Sequence, residues 1–182
     1  AFAHDARYGR HAAGTVLRSV GNHRLFRLEN GAMRVRNLAV ENVVYDAAGA
    51  GSVYINAGGS VSNLVIRNAS GRNGVGVYIE SGSDALVDAC VISNCSTEAE
   101  YGGGGAAIYM KDGEVRNTLC VFNNGPDGSS IYGTVRISGG RLVNCTIASN
   151  TAYNCSGVVP EGKSAAIVNT LIADNISRSG NV

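Results

Sequence analysis

The sequence predicts an all-β solenoid of about six stacked coils of 25–29 residues, with three short strands per coil. The first observation behind this is a repeated phrase: N-C-T-I-A-S-N at 144–150, N-T-L-I-A-D-N at 169–175, N-T-L-C-V-F-N at 117–123 and D-A-C-V-I-S-N at 88–94. Two copies are shorter by one residue, N-L-V-I-R-N at 63–68 and N-L-A-V-E-N at 37–42. The second observation is the period. The first polar residue falls at 37, 63, 88, 117, 144 and 169, giving spacings of 26, 25, 29, 27 and 25. Repeats of that length carrying short apolar alternation stack as β coils. The third is composition: 25 Gly, two Pro, three Phe and no Trp leave a core of small and β-branched side chains, which suits narrow coils turned by Gly and Asn.

Taken in order, residues 1–23 fall outside the repeat and read as an N-terminal cap, with T-V-L-R-S-V at 15–20 as its strand. A solenoid needs such a cover because a bare end coil exposes unpaired backbone and apolar side chains. His4, His11 and His23 lie in or beside this segment, but their spacing matches no metal-ligand pattern. The opening A-F-A-H-D-A-R-Y-G-R lacks the charged and apolar regions of a signal peptide. Residues 24–182 read as the solenoid, either whole or as part of a longer stack.

Each coil opens with a three-residue strand: F-R-L (26–28), V-Y-I (53–55), V-Y-I (77–79), I-Y-M (108–110) and V-R-I (135–137). Alternation turns the outer two residues inward and the middle one outward. A Gly-containing turn follows, where the backbone angles of a sharp corner disfavour a Cβ. The second strand brings Val35, Val61, Leu86, Val115, Leu142 and Ile167 inward. The corner is then made by Asn37, Asn63, Asp88, Asn117, Asn144 and Asn169, residue types that tolerate the left-handed conformation. A third strand turns Val40, Ile66, Val91, Cys120, Ile147 and Ile172 toward the axis. Asn94, Asn123, Asn150 and Asn175 read as a second polar corner. Loops of variable length, at 96–105, 124–130 and 151–157, join one coil to the next. The chain ends in I-S-R-S-G-N-V without an evident cap.

Several function classes are excluded by bulk properties. A net charge of +1 with dispersed basic residues offers no electrostatic footprint for nucleic acid. No run of about 18 apolar residues is present to span a membrane. Cys90, Cys95, Cys120, Cys145 and Cys155 are odd in number and show no zinc spacing, so they read as buried structural thiols. No cofactor or metal site is indicated.

The coil pattern over roughly 24–175 resembles the right-handed parallel β-helix, or pectate-lyase-like, superfamily. Within it, G-G-G-G-A-A-I-Y at 102–109 followed by F-N-N at 122–124 resembles the repeats of bacterial surface proteins, including chlamydial polymorphic membrane proteins and other autotransporter passengers. The resemblance implies an extracellular or bacterial cell-surface location. It does not imply one activity, because the superfamily holds lyases, glycosidases and noncatalytic adhesins. The acidic clusters, G-H-G and R-x-K sets of the best-known enzymes are not found among the 14 scattered carboxylates.

Stacking the first strands puts Arg27, Tyr54, Tyr78, Tyr109 and Arg136 in one outward row, with neighbours about 4.8 Å apart. The next outward row is Glu29, Asn56, Glu80, Lys111 and Ser138. Tyrosines with an apolar face and polar tip suit sugar rings or a protein partner, and stacked tyrosines also stabilise a sheet with no ligand at all. The candidate binding residues are therefore Arg27, Tyr54, Tyr78, Tyr109, Arg136, Glu80 and Lys111. Three functions follow. One is a noncatalytic adhesin-type module binding a polysaccharide or a host or neighbouring surface protein. Another is a polysaccharide lyase or glycoside hydrolase using Lys111 or Arg136 as base or charge stabiliser and Glu80 as acid. The last is a structural subunit that associates end to end. The Asn-x-Ser/Thr triplets at Asn68, Asn94, Asn144, Asn154 and Asn175 read as corner residues rather than glycosylation sites.

Overall fold

The computed structural model describes residues 15–47, 51–97, 103–127 and 132–179. His4, His11 and parts of the loops at 96–105 and 124–130 lie outside the described residues. The described chain is a β-solenoid of about six turns, with all its strand pairs parallel and no helix. Each turn crosses a first face of short strands, beginning with Phe26–Leu28 and ending with Val158–Pro160, which stack as a six-stranded sheet. It then bends through a larger sheet with two arms, continuous in Arg34–Glu41 and Ser60–Arg67 and split by a corner in later turns. A two-residue strand follows the second corner, as at Ser70–Gly71 and Ser96–Thr97, adding to the three per coil expected from sequence.

The corners explain the repeated phrase. Asn37, Asn63, Ala89, Asn117, Asn144 and Asn169 all have φ between 45° and 62°. Five residues later, Asn42, Asn68, Asn94, Phe122, Ser149 and Asp174 also sit at positive φ, between 51° and 57°. Every copy is therefore one strand held between two left-handed residues. Asn supplies most of them because it bears this conformation at less cost than branched or bulky residues.

Two sequence assignments need correction. In the third coil the corner is Ala89, not Asp88, because Asp88 pairs in register with Ser62 and Arg116. The inward residues of that coil are accordingly Val87 and Ile92, both fully buried, rather than Leu86 and Val91. The corner spacings become 26, 26, 28, 27 and 25, more regular than the sequence reading. The second polar corner also divides in two. Asn94 is a left-handed corner, whereas Asn123, Asn150 and Asn175 lie one residue further on and point inside.

The core is a set of columns parallel to the axis. Val40, Ile66, Ile92, Cys120 and Ile147 form one column and Val61, Val87, Val115 and Leu142 another, all fully buried. Burying a side chain of this size contributes roughly 1.5–3 kcal/mol, so these nine positions alone outweigh any surface feature. Gly turns close each coil on the preceding one: at Gly113, with φ of 80°, an added Cβ would meet the Ala85 carbonyl oxygen at 2.5 Å. At the N-terminal end the strand Val16–Arg18 pairs with Ala39–Glu41. The buried Glu41 carboxylate accepts hydrogen bonds from Arg18 at 2.9 Å and from Arg67. All five cysteines are free thiols, four of them buried. Burial pushes Cys90 and Cys95 up to about 12 and raises Cys120 well above the ordinary thiol value, which keeps these thiols protonated and inert.

Candidate functional site

The register of the first face sets the outward row. Arg27 pairs with Tyr54, Tyr54 with Tyr78, Tyr78 with Tyr109 and Tyr109 with Arg136. All five side chains therefore lie on one line, as the alternation requires. The line continues to Val159 in the last coil.

Burial separates members of this row. Tyr78 and Tyr109 are only 4 % and 8 % exposed, so they form no open aromatic platform. The segments entering the first face close over Tyr78, where a Cβ on Gly51 or Gly74 would come within 3.0 Å or 2.9 Å of its Cβ. Tyr54 and Tyr78 stack with centroids 5.5 Å apart, and Tyr78 meets Tyr109 edge to face at 4.9 Å. Such pairs add about 0.5–1.5 kcal/mol each beyond area burial. The tyrosines thus form an inner spine, capped by cations at both ends. Arg24 lies 4.3 Å over the Tyr54 ring, and Arg136 is held between Tyr109 at 4.2 Å and Tyr132 at 3.5 Å.

The neighbouring row forms the rim. These residues each follow a first strand directly, so their side chains stand beside the tyrosine tips. Hydrogen bonds link them across consecutive coils. Asn56 donates to Glu29 at 3.1 Å, Lys111 to Glu80 at 2.7 Å and the Ser138 hydroxyl to Glu161 at 3.0 Å. Glu161 also takes the guanidinium of Arg136 at 2.8 Å. Glu29 accepts from Arg27 as well.

Ionisation follows from this pairing. Burial pushes the Tyr78 hydroxyl up to about 12, despite Lys111 beside it. Burial alone would lower Lys111, but hydrogen bonding to Glu80 and Tyr78 raises it above the ordinary 10.5. Burial would likewise raise Glu80, yet Lys111 and the Tyr78 hydroxyl hold it below the usual carboxylate value. Each shift fixes the ordinary charge state more firmly. A general base or acid works best with a pKa near the operating pH, and these three groups have moved away from it. A lysine above 10.5 is neutral at pH 7 in less than about one molecule per thousand.

The structure brings Glu80, Lys111 and Tyr78 together: Lys111 donates to Glu80 at 2.7 Å and its ammonium lies 5.6 Å from the centre of the Tyr78 ring. It also groups Tyr109 with Arg136 and Arg27 with Tyr54. Sequence reasoning missed Glu161, Tyr132 and Arg24. Glu161 carried a signal: V-V-P-E at 158–161 repeats the strand-then-polar pattern of V-Y-I-E at 77–80 in the sixth coil. Tyr132 and Arg24 lie in segments with no repeat, where only the folded chain brings them onto the row. Among the described residues, no three His, Cys, Asp or Glu side chains gather as metal ligands. No helix among them is long and apolar enough to cross a membrane. No family model, curated protein or solved structure matches this chain.

Proposed function

We propose that this chain is a noncatalytic extracellular or cell-surface binding module, a right-handed parallel β-helix of the autotransporter-passenger type, that holds a polysaccharide along the first-face rim. The observation that carries this reading is the rim itself. Carboxylate, amide, carboxylate, ammonium and hydroxyl groups from Glu29, Asn56, Glu80, Lys111 and Ser138 follow one another at coil spacing, held by hydrogen bonds from Asn56 to Glu29, Lys111 to Glu80 and Ser138 to Glu161 and backed by the tyrosine spine. Sugar hydroxyls both donate and accept, so a line of mixed donors and acceptors suits them.

Catalysis is disfavoured because the candidate acid and base are held in the wrong states for proton transfer at neutral pH. Pre-paired side chains on rigid strands serve binding instead, since little entropy is lost when a ligand replaces bound water. The test is a glycan array carrying neutral and acidic polysaccharides, with a reducing-end assay on every glycan retained. Retention without new reducing ends is the expected result. New reducing ends would establish an enzyme, and an array with no retained glycan would remove the polysaccharide from the reading.

A further inference from the structure

The net charge of +1 conceals an uneven distribution. Residues 1–72 hold nine Arg against four carboxylates, whereas residues 73–182 hold six Lys and Arg against ten. The outward face of the first arm of the large sheet shows where this imbalance reaches the surface. Two pairs of arginines stand on it, and only one pair is neutralised. Arg116 lies beside Asp88 in register and meets it at 3.2 Å, and Arg141 lies beside Glu114 and meets it at 3.8 Å. In the first two coils the same rows set Arg36 beside Ser62 and Arg34 beside Ser60. Hydroxyls thus stand where the other pair has carboxylates. Arg36 has no ion pair among the described residues, and Arg34 donates to the Gly31 and Met33 carbonyls. Both side chains are exposed, and strand alternation turns them sideways from the coils rather than along the axis.

We propose that this patch holds a tetrahedral ester anion, a sulfate or phosphate group, carried by an acidic polysaccharide. Side chains two apart on one strand stand about 6.6 Å from each other, and the serines lie about 4.8 Å away on the next strand. Two guanidinium forks and two hydroxyls therefore converge on a space the size of one such group. A sulfate or phosphate monoester has three free oxygens and can accept from both forks and a hydroxyl together. A carboxylate has two, which one fork already fills.

The surroundings favour a sugar polymer over a nucleic acid. Asn63 donates to Asn37 at 2.9 Å at the adjoining corner, and the remaining amide groups of the pair offer a donor and an acceptor to flanking sugar hydroxyls. A nucleic-acid backbone needs a run of phosphate contacts. Here the uncompensated charge ends with these two coils, and Asp88 and Glu114 follow along the same rows. The site shares no residue with the first-face rim, so it stands or falls apart from the glycan reading of that face.

Isothermal titration with dextran sulfate, dextran phosphate and unmodified dextran tests the site. At least one anionic dextran should bind at least about tenfold more tightly than the unmodified polymer, and the tighter of the two identifies the ester. Arg34→Gln with Arg36→Gln should weaken that binding at least about tenfold. Arg116→Gln with Arg141→Gln removes the same charge from the same face and should weaken it less than about twofold. Ser62→Asp gives Arg36 the carboxylate that Arg116 already has, and should weaken binding at least about fivefold. Circular dichroism checks each fold, and Ser62→Asp decides should the first double variant fail to fold. Equal affinity for all three dextrans, equal losses in the two double variants, unchanged affinity in Ser62→Asp, or tighter binding of duplex DNA than of either anionic dextran would overturn the proposal.

Discussion

Two columns of asparagine run along this solenoid at the same period and serve different ends. The outer column turns the first corner. Asn63 donates to Asn37 at 2.9 Å and Asn169 to Asn144 at 2.7 Å, with these side chains exposed to water. The inner column, Asn123, Asn150 and Asn175, lies one residue past the second corner. Asn150 Oδ1 accepts from both the backbone N–H and side-chain amide of Asn123, at 2.9 Å and 3.0 Å. Its own amide donates to the Cys120 carbonyl and to Asn175. In the first three coils the same inner position is taken by Val43, Ala69 and Cys95, all buried. One backbone site is thus filled either by packing or by a ladder of amides. A buried amide is tolerated only because each of its bonds is made.

Breaking the inner column should have the largest effect. Asn150→Ala strands partners on both neighbouring coils, and each buried group left unpaired costs about 1–3 kcal/mol; a loss of roughly 3 kcal/mol or more is expected in urea unfolding. Tyr78→Ala comes next, at about 3 kcal/mol, because it empties a nearly closed site in the spine. A merely exposed binding residue would change stability far less. Truncating the outer column should cost much less than the inner: Asn144→Ala is expected to lose about 1 kcal/mol, mainly because Ala bears a φ of 52° less readily than Asn. Ala89 shows that such a residue is tolerated there. The smallest effect should have the opposite sign. Phe122 is 64 % exposed at a left-handed corner that Asn fills in the first three coils. Phe122→Asn should therefore raise stability by about 0.5–1 kcal/mol, and any loss would show that the phenyl ring has a packing role.

Acid provides another separation. Glu41 is held below its ordinary 4.5 by hydrogen bonds from Arg67 and Arg18. Glu80, though raised by burial, is brought below 4.5 by Lys111. A carboxylate depressed in the folded state stabilises fully above its unfolded value, and that contribution is lost as pH falls through the folded one. The thermal midpoint should hold from pH 7 down to about 4.5 and decline below it. Glu41→Gln should remove part of the decline. Lys111, raised when folded, contributes below 10.5 and loses its contribution as pH rises beyond.

Much of this architecture was legible in the sequence, and the failures have physical reasons. The first-face register followed directly from V-Y-I and its variants, since a period of two leaves little freedom once one face is buried. The shift at Asp88 was not legible: Asp is itself a good left-handed residue, and only pairing with Arg116 and Ser62 shows that Ala89 turns the corner. Asn94 was grouped with Asn123, Asn150 and Asn175 for a like reason. F-N, S-N and D-N at 122, 149 and 174 put the left-handed residue first and the buried amide second, and neither Phe nor Ser announces positive φ. The rim residues Glu80 and Lys111 were found, but the burial of Tyr78 and Tyr109 was not. Their cover comes from irregular segments before each strand, where no periodicity constrains the path.

The central claim is that inward columns hold the fold while the first-face rim binds. Lys111→Met tests it in one protein, read by glycan-array retention and by thermal midpoint together. A part-exposed ion pair contributes about 0–1 kcal/mol, so the midpoint should move by less than about 4 °C while retention falls at least tenfold. Retention equal to that of the unaltered chain, or loss of the fold itself, would contradict the account.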